Sequence, residues 1–96
     1  MRKLGIYGSG GFGRELVSPA QMLVGHWPDA PEICFISDHE TGTACGLEIL
    51  PFSAMEPGDG FIIAVGDGRV RNRLAAKSRA AGLVPVLGPA LGVEAE

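Results

Sequence analysis

The chain has 96 residues and a mass of 10.0 kDa, so it has room for one modest hydrophobic core and no second catalytic domain. Hydrophobic residues make up 46% of it and charged residues 20%, and no apolar run approaches the roughly 18 residues that a membrane span requires. The formal charge of −3 gives no general attraction to nucleic acid.

The N-terminus carries no signal-peptide pattern, because glycines stand where an apolar segment would be needed. Cys34 and Cys45 form no CxxC motif, and together with His26 and His39 they do not have the spacing of a zinc site. We therefore expect free thiols, a cytoplasmic protein, no membrane insertion and no metal.

The first predicted elements are a strand over residues 3–7, a glycine-rich turn and a helix over residues 12–24, where apolar residues recur at helical spacing. Pro19 falls inside this helix. Because proline donates no hydrogen bond and would crowd the carbonyl of Glu15, we expect a kink or a break there.

The middle of the chain predicts a strand over residues 32–36, a turn-forming stretch over 41–46 and a short strand or extended edge over 47–50, closed by Pro51. Ser53 is a candidate cap for one helical turn that follows.

The last third predicts a strand over residues 61–65, a helix over 69–81 stopped by Gly82, and a final strand over 83–87. Pro85 places that strand at a sheet edge. Strands alternating with helices indicate one α/β domain over residues 1–87, an open parallel sheet with flanking helices and right-handed crossovers. Residues 88–96 are expected to form only a tail.

The turn after the first strand has the pattern GxGxxG, from Gly8 to Gly13. A strand before it and a helix after it give the context in which such a turn holds a phosphate: the chain reverses sharply, and bare backbone N–H groups can approach an anion. A second glycine-containing turn, Gly66-Asp67-Gly68, follows the strand over residues 61–65. If the two strands are neighbours, the two turns face one another across a crevice.

Three further positions are candidate ligand contacts, and two of them have a second interpretation. Asp38, at the end of the second strand, either meets a ribose hydroxyl or initiates a turn. Asp67 is favoured as a helix cap, with ligand contact by the neighbouring backbone as the alternative. Arg71 is the phosphate candidate of the following helix, whereas Arg73 and Lys77 are expected to keep one helix face solvated. No arrangement of residues predicts a catalytic site.

Two motifs in order, residues 8–15 and residues 61–71, together with the strand end Phe35-Ile36-Ser37-Asp38, resemble the N-terminal domain of bacterial sugar O- or N-acyltransferases of the PglD/NeuD type. The resemblance covers residues 3–87. It implies a small Rossmann-like domain that binds a nucleotide-activated sugar, a UDP-sugar first, in surface polysaccharide or glycan synthesis. The ligand-binding residues that follow from the turns and the resemblance together are Gly8, Ser9, Gly10, Gly11, Phe12, Gly13, Ser37, Asp38, Ala64, Val65, Gly66, Asp67 and Arg71.

In that family a left-handed β-helix follows, which forms trimers, binds acetyl-CoA and carries the catalytic histidine. The resemblance therefore implies acetyl-CoA and a homotrimer for a parent enzyme that has the β-helix, and no cofactor for this domain alone. The chain departs from the family pattern at Phe12, where some members have histidine, at Ser37, where members commonly have aspartate, and at residues 88–92, where the β-helix would begin. The base therefore stays open.

Two other classes of function fit the same residues. A nicotinamide or flavin dinucleotide module would use the GxGxxG turn and Asp38 equally well. A non-catalytic oligomerisation or regulatory domain would keep the fold without the ligand.

Overall fold

The computed structural model describes residues 1–86. Its strands are β1 (Lys3–Tyr7), β2 (Glu32–Ile36), β3 (Gly42–Ala44), β4 (Leu47–Leu50), β5 (Gly60–Ile63) and β6 (Val84–Pro85). Its helices are α1 (Gly11–Glu15), α2 (Val17–Val24) and α3 (Gly68–Ala80), and a 3-10 turn spans Phe52–Ala54.

The strands form one sheet in the order β3-β4-β2-β1-β5-β6. Four of its pairings are parallel and only β3 runs antiparallel, against β4. The predicted α/β class is thus confirmed as a Rossmann-like fold whose sheet is mixed rather than purely parallel. The strands fall on either side of β1, with β2 and β4 on one side and β5 and β6 on the other.

The helix predicted over residues 12–24 is broken, as expected, but the predicted position of the break at Pro19 is wrong, because the two helices meet at Leu16. The amide of Leu16 donates to the Gly13 carbonyl at 3.2 Å, and the amide of Ala20 donates to the Leu16 carbonyl at 2.9 Å. The break therefore lies three residues before Pro19, which enters the first turn of α2. A first-turn residue has no helical acceptor for its N–H, so proline is tolerated there.

The turn-forming stretch predicted over residues 41–46 contains a strand, so β4 is not the sheet edge. Cys45 and Gly46 both have positive φ, +52° and +76°. Two consecutive positive φ values are the signature of a type I′ hairpin turn, which joins β3 to β4. The prediction missed it because Cys-Gly lacks the Asn or Asp that usually marks this turn.

The core has two layers, one on each face of the sheet. One layer packs under α1 and α2 and includes the fully buried Leu4, Ile6 and Phe35. The other packs under α3 and the 3-10 turn, and it includes Tyr7 and Leu74. Successive residues of β1 point to opposite faces, so Ile6 and Tyr7 belong to different layers.

A buried carboxylate fixes the amino edge of the sheet. Asp59 is 3% exposed and accepts hydrogen bonds from the amides of Arg2, Lys3 and Glu56 at 3.2, 3.0 and 2.9 Å. The Lys3 ammonium lies 3.6 Å from its Oδ2. Burial acts to raise the pKa of Asp59, but these amides and the ammonium outweigh it and leave the pKa below its ordinary value.

The remaining elements match their predictions with small shifts. The strand predicted over residues 61–65 ends at Ile63, α3 begins at Gly68, and Gly82 follows α3 with φ +84°. The final strand is confirmed at an edge of the sheet, as Pro85 required. Ser53 lies inside the 3-10 turn and does not cap it. Leu87 and the predicted tail over 88–96 lie outside the described residues.

Candidate functional site

The glycine turn and the Gly66-Asp67-Gly68 turn follow neighbouring parallel strands, β1 and β5. The chain winds away from β1 toward β2 on one side and toward β5 on the other, so this is the point where the winding reverses. The two turns therefore leave the sheet side by side at its carboxyl edge, which is the arrangement that the sequence required for a crevice.

Two glycines of the first turn are required by the fold itself. Gly8 has φ +123°, and a Cβ there would lie 2.7 Å from the carbonyl oxygen of Ala64. A Cβ on Gly13 would collide with the Gly8 carbonyl. These glycines allow the turn to close on itself and to pack against the segment that follows β5.

Four other glycines are not explained by the fold. At Gly10, Gly11, Gly66 and Gly68 a Cβ would meet no atom within 4 Å, and none of the four has positive φ. All other glycines in residues 1–86 either have positive φ or contact neighbouring atoms that a side chain would strike. The unexplained glycines thus all border the crevice, where they leave space over bare backbone.

The first turn also has unused hydrogen-bond donors. Within the part of the chain that the structure describes, the amides of residues 9–13 donate to no acceptor, and α1 has no side-chain cap. The Gly8 amide, by contrast, donates to the Ile36 carbonyl at 3.0 Å. Three of these amides belong to the exposed residues Gly10, Gly11 and Phe12, and consecutive free N–H groups of this kind are donors available to an anion.

The side chains of this turn have separate environments. Ser9 is 5% exposed, and its Oγ donates to the Glu40 carboxylate, so its hydroxyl already has a partner. The Arg14 guanidinium donates from Nε to the Ser9 carbonyl at 3.0 Å. Phe12 is 40% exposed and leaves an aromatic face at the crevice.

The second turn differs from the first because it supplies a carboxylate that caps the helix after it. The Asp67 carboxylate accepts from the amides of Arg69 and Val70 at 2.9 and 3.1 Å, which confirms the favoured capping role. This carboxylate fills the anion position at the start of α3. Ala64 is buried and donates its amide to the Tyr7 carbonyl at 2.9 Å, and Val65 is half-buried.

Ser37, not Asp38, forms the turn after β2. Its Oγ accepts from the amides of His39 and Glu40 at 3.2 and 2.9 Å, so the turn interpretation of Asp38 is wrong. Asp38 instead lies beside Tyr7, whose hydroxyl is 3.0 Å from both of its carboxylate oxygens.

Lys77 completes this group, and the expectation that it only solvates a helix face is wrong. Its Nζ donates to the Tyr7 hydroxyl at 3.0 Å and lies 3.7 Å from Asp38 Oδ1. It also lies 4.3 Å from the centre of the Phe52 ring, which stacks on Tyr7 at 5.8 Å. Burial raises the pKa of Tyr7, and the hydrogen bond to Tyr7 raises the pKa of Lys77. The tyrosine is thereby kept protonated and the lysine charged.

Arg71 is exposed, and it has no ion pair or side-chain hydrogen bond within residues 1–86. It lies six residues before Lys77, which at 100° per residue places it about 240° around α3 from the side that contacts Asp38. The structure thus brings together the two turns and Asp38 but leaves Arg71 on another side of its helix.

Sequence reasoning missed Tyr7, Lys77 and Glu40 as neighbours of the site. A signal for Tyr7 was present: strand alternation buries its ring on the α3 face, and a buried tyrosine hydroxyl needs a partner. No local pattern could have paired Lys77 with Asp38, because the contact depends on how α3 crosses the sheet.

No group of three or more histidine, cysteine, aspartate or glutamate residues within residues 1–86 could hold a metal ion. Cys34 is a buried free thiol whose pKa burial raises to about 11, and Cys45 is an exposed free thiol. Among these residues no helix has the length and apolar character needed to cross a bilayer.

The fold and the turn geometry define a Rossmann-like domain with a glycine crevice at its switch point. A family described as the PglD N-terminal domain matches residues 3–78, and the chain belongs to that family. This places it with the N-terminal domains of sugar acetyltransferases, as the resemblance implied. Comparison with curated proteins gave no match.

Proposed function

We propose that this domain binds a nucleotide-activated sugar, with a UDP-sugar as the first candidate, as the N-terminal part of a sugar acetyltransferase. The observation that carries the proposal is the set of open glycines with free amides at the crevice. Gly10 and Gly11 offer bare backbone to a ligand, and the fold gives no other reason for glycine at these positions.

The two turns take different parts of the ligand in this proposal. The free amides of residues 9–13 hold the diphosphate, because N–H groups hydrogen-bonded to charged oxygens are among the stronger hydrogen bonds. The Asp67 carboxylate excludes phosphate from the start of α3. Ala64, Val65 and Gly66 therefore border the base, Phe12 packs on the ligand, and Ser37 and Asp38 lie on the nucleoside side.

Arg71 contributes at most a long-range attraction to phosphate in this arrangement, since it lies on another side of α3. We assign no catalytic step to residues 1–86. Acetyl transfer from acetyl-CoA, and the trimer that accompanies it in the family, belong in this proposal to a β-helical domain of a parent enzyme. The acceptor is an amino or hydroxyl group of the nucleotide-linked sugar, and the pathway is surface polysaccharide or glycan synthesis in the cytoplasm.

A thermal-shift titration tests the proposal with UDP-, GDP- and CMP-sugars beside NAD and NADP. A ligand at 100 times its Kd stabilises the fold by about 2.7 kcal/mol, which a chain of this size registers as a clear rise in Tm. Stabilisation by a nucleotide sugar alone supports the proposal. Stabilisation by NAD alone favours the dinucleotide module, and no shift with any ligand contradicts both.

A substitution at Gly10 tests whether the ligand binds at the crevice. Gly10→Val adds a side chain beside the free amides, where its Cβ meets no atom within 4 Å, so we expect the fold to tolerate it. We expect the Kd to rise by at least about tenfold, or about 1.4 kcal/mol. Ala80→Val, which adds similar bulk to the exposed far end of α3, is the matched control and should bind as the wild type does.

A further inference from the structure

Asp38 has a donor fixed between its two oxygens. The Tyr7 hydroxyl is 3.0 Å from both Oδ1 and Oδ2, so it lies on the side of the carboxylate where both oxygens face it. Each carboxylate oxygen has a second acceptor position on its outer side. Tyr7 therefore leaves the outer acceptor position of each Asp38 oxygen unused.

Lys77 distinguishes the two oxygens. Its ammonium lies 3.7 Å from Oδ1 and forms its ion pair with that oxygen. Oδ2 keeps its outer position, and the Asp38 side chain is 40% exposed. A donor from solvent or from a ligand can therefore reach Oδ2.

The protons in this group have one consistent arrangement. An ammonium only donates, so Lys77 donates a hydrogen bond to the Tyr7 oxygen, and the Tyr7 hydroxyl donates its own hydrogen bond to Asp38. Phe52 and Tyr7 flank the ammonium, at 4.3 and 5.6 Å from their ring centres, and limit its movement. Tyr7 itself is 3% exposed and held in the core. Asp38 is thus oriented by a rigid partner instead of swinging freely at the end of β2.

The group lies at the crevice. The Gly8 amide donates to the carbonyl of Ile36, two residues before Asp38, so the glycine turn and the Asp38 segment leave adjacent strands at one edge. We propose that Tyr7 and Lys77 are positioning residues that hold the Asp38 carboxylate so that Oδ2 accepts one ribose hydroxyl of the bound nucleotide. This inference rests on the nucleotide-binding function proposed above.

Calorimetric titration with UDP and with 2′,3′-dideoxy-UDP tests it on the full chain. A hydrogen bond from a ribose hydroxyl to a charged carboxylate should make wild-type protein bind UDP roughly tenfold more tightly than the dideoxy compound. Tyr7→Phe keeps the ring and removes the hydroxyl, and Lys77→Met keeps much of the stem and removes the charge. In both variants we expect the preference for UDP over the dideoxy compound to fall below about threefold, while the affinity for the dideoxy compound stays unchanged.

Arg73→Met is the matched control, because Arg73 is an exposed cation one turn before Lys77 on α3 and has no ion pair within the described chain. Arg73→Met should prefer UDP over the dideoxy compound by the same factor as the wild type. If a variant loses affinity for both ligands equally, or keeps the wild-type ratio while remaining folded, Tyr7 and Lys77 have only a structural role and the inference is overturned. If the wild type binds neither UDP nor a UDP-sugar, the proposed function itself fails.

Discussion

Asp59 shows how a single buried carboxylate can hold one edge of this fold. It accepts from three backbone amides and pairs with Lys3, so removing it leaves several donors without their acceptor. We expect Asp59→Ala to lower the free energy of unfolding by about 2 kcal/mol, measured by urea denaturation at pH 7. Asp29→Ala, at an exposed position, should change it by less than about 0.5 kcal/mol.

The lowered pKa of Asp59 also gives this edge a pH dependence. Because the folded-state pKa lies below the ordinary value of 3.8, the ionised carboxylate stabilises the fold above that pH. The contribution is lost as the pH falls from about 4 through the folded-state pKa. Between pH 7 and pH 3 the wild type should lose more stability than Asp59→Ala does, and an equal loss would contradict this account.

Glu40 places a carboxylate beside the glycine turn through its contact with Ser9. A negative charge there would oppose the diphosphate that we propose binds at this turn. We expect Glu40→Gln, which keeps the shape and the acceptor, to bind a UDP-sugar about three- to tenfold more tightly, with the difference shrinking as salt is added. Glu48→Gln on β4 is the control, and an unchanged or weaker affinity in Glu40→Gln would show that Glu40 does not oppose the phosphates.

The sequence predicts single residues well where their partners are local. Asp67 precedes a helix and caps it, and Gly8 and Gly13 lie in the turn that needs them. Asp38 was predicted at the crevice edge without its partners, because Tyr7 lies 31 residues from Asp38 along the chain and 70 residues from Lys77. Contacts of that separation follow from packing and leave no local pattern.

At the scale of elements, Pro19 either fits the first turn of α2 or breaks a longer helix, and these two alternatives predict opposite effects of replacing it. In the structure Pro19 lies in the first turn of α2, where no N–H is required, and it restricts the unfolded chain. We therefore expect Pro19→Ala to lower the free energy of unfolding by about 0.4 to 1 kcal/mol, measured by urea denaturation. If proline were breaking a longer helix, the same change would instead stabilise the protein.

Ala76→Pro in the middle of α3 is the contrasting variant. It removes a helical hydrogen bond and introduces a clash with the preceding turn, so it should cost about 3 kcal/mol or more. The two substitutions together test whether position within the helix, and not proline itself, decides the effect.

Strands were predicted more accurately than connections. β1 and β2 have the predicted bounds because each is a short apolar run between turn residues. The β3–β4 hairpin was missed because its turn has Cys45 at a positive φ, where a sequence pattern expects Asn or Asp. The break in the first helix was predicted at Pro19 instead of Leu16, because the apolar spacing continues through Leu16.

At the scale of the whole molecule, the order of strands decides where a ligand can bind. The alternation of strands and helices predicted the fold class, and the pairing of β1 with β5 brought the two glycine turns together. Local sequence does not show which strands are neighbours. The prediction of a crevice therefore depended on the sheet order, which the structure supplies. The Asp59 edge lies at the opposite end of the same strands, which provides an internal reference for locating a ligand.

The most direct measurement is an NMR titration of the ¹⁵N-labelled chain with a UDP-sugar, following each backbone amide. We expect the largest shifts at the free amides of residues 9–13, smaller ones at Val65 and Gly66, and almost none at Arg2, Lys3 and Glu56. Shifts concentrated at the Asp59 edge, or shifts that leave residues 9–13 unchanged, would contradict the claim that the glycine crevice is the nucleotide site.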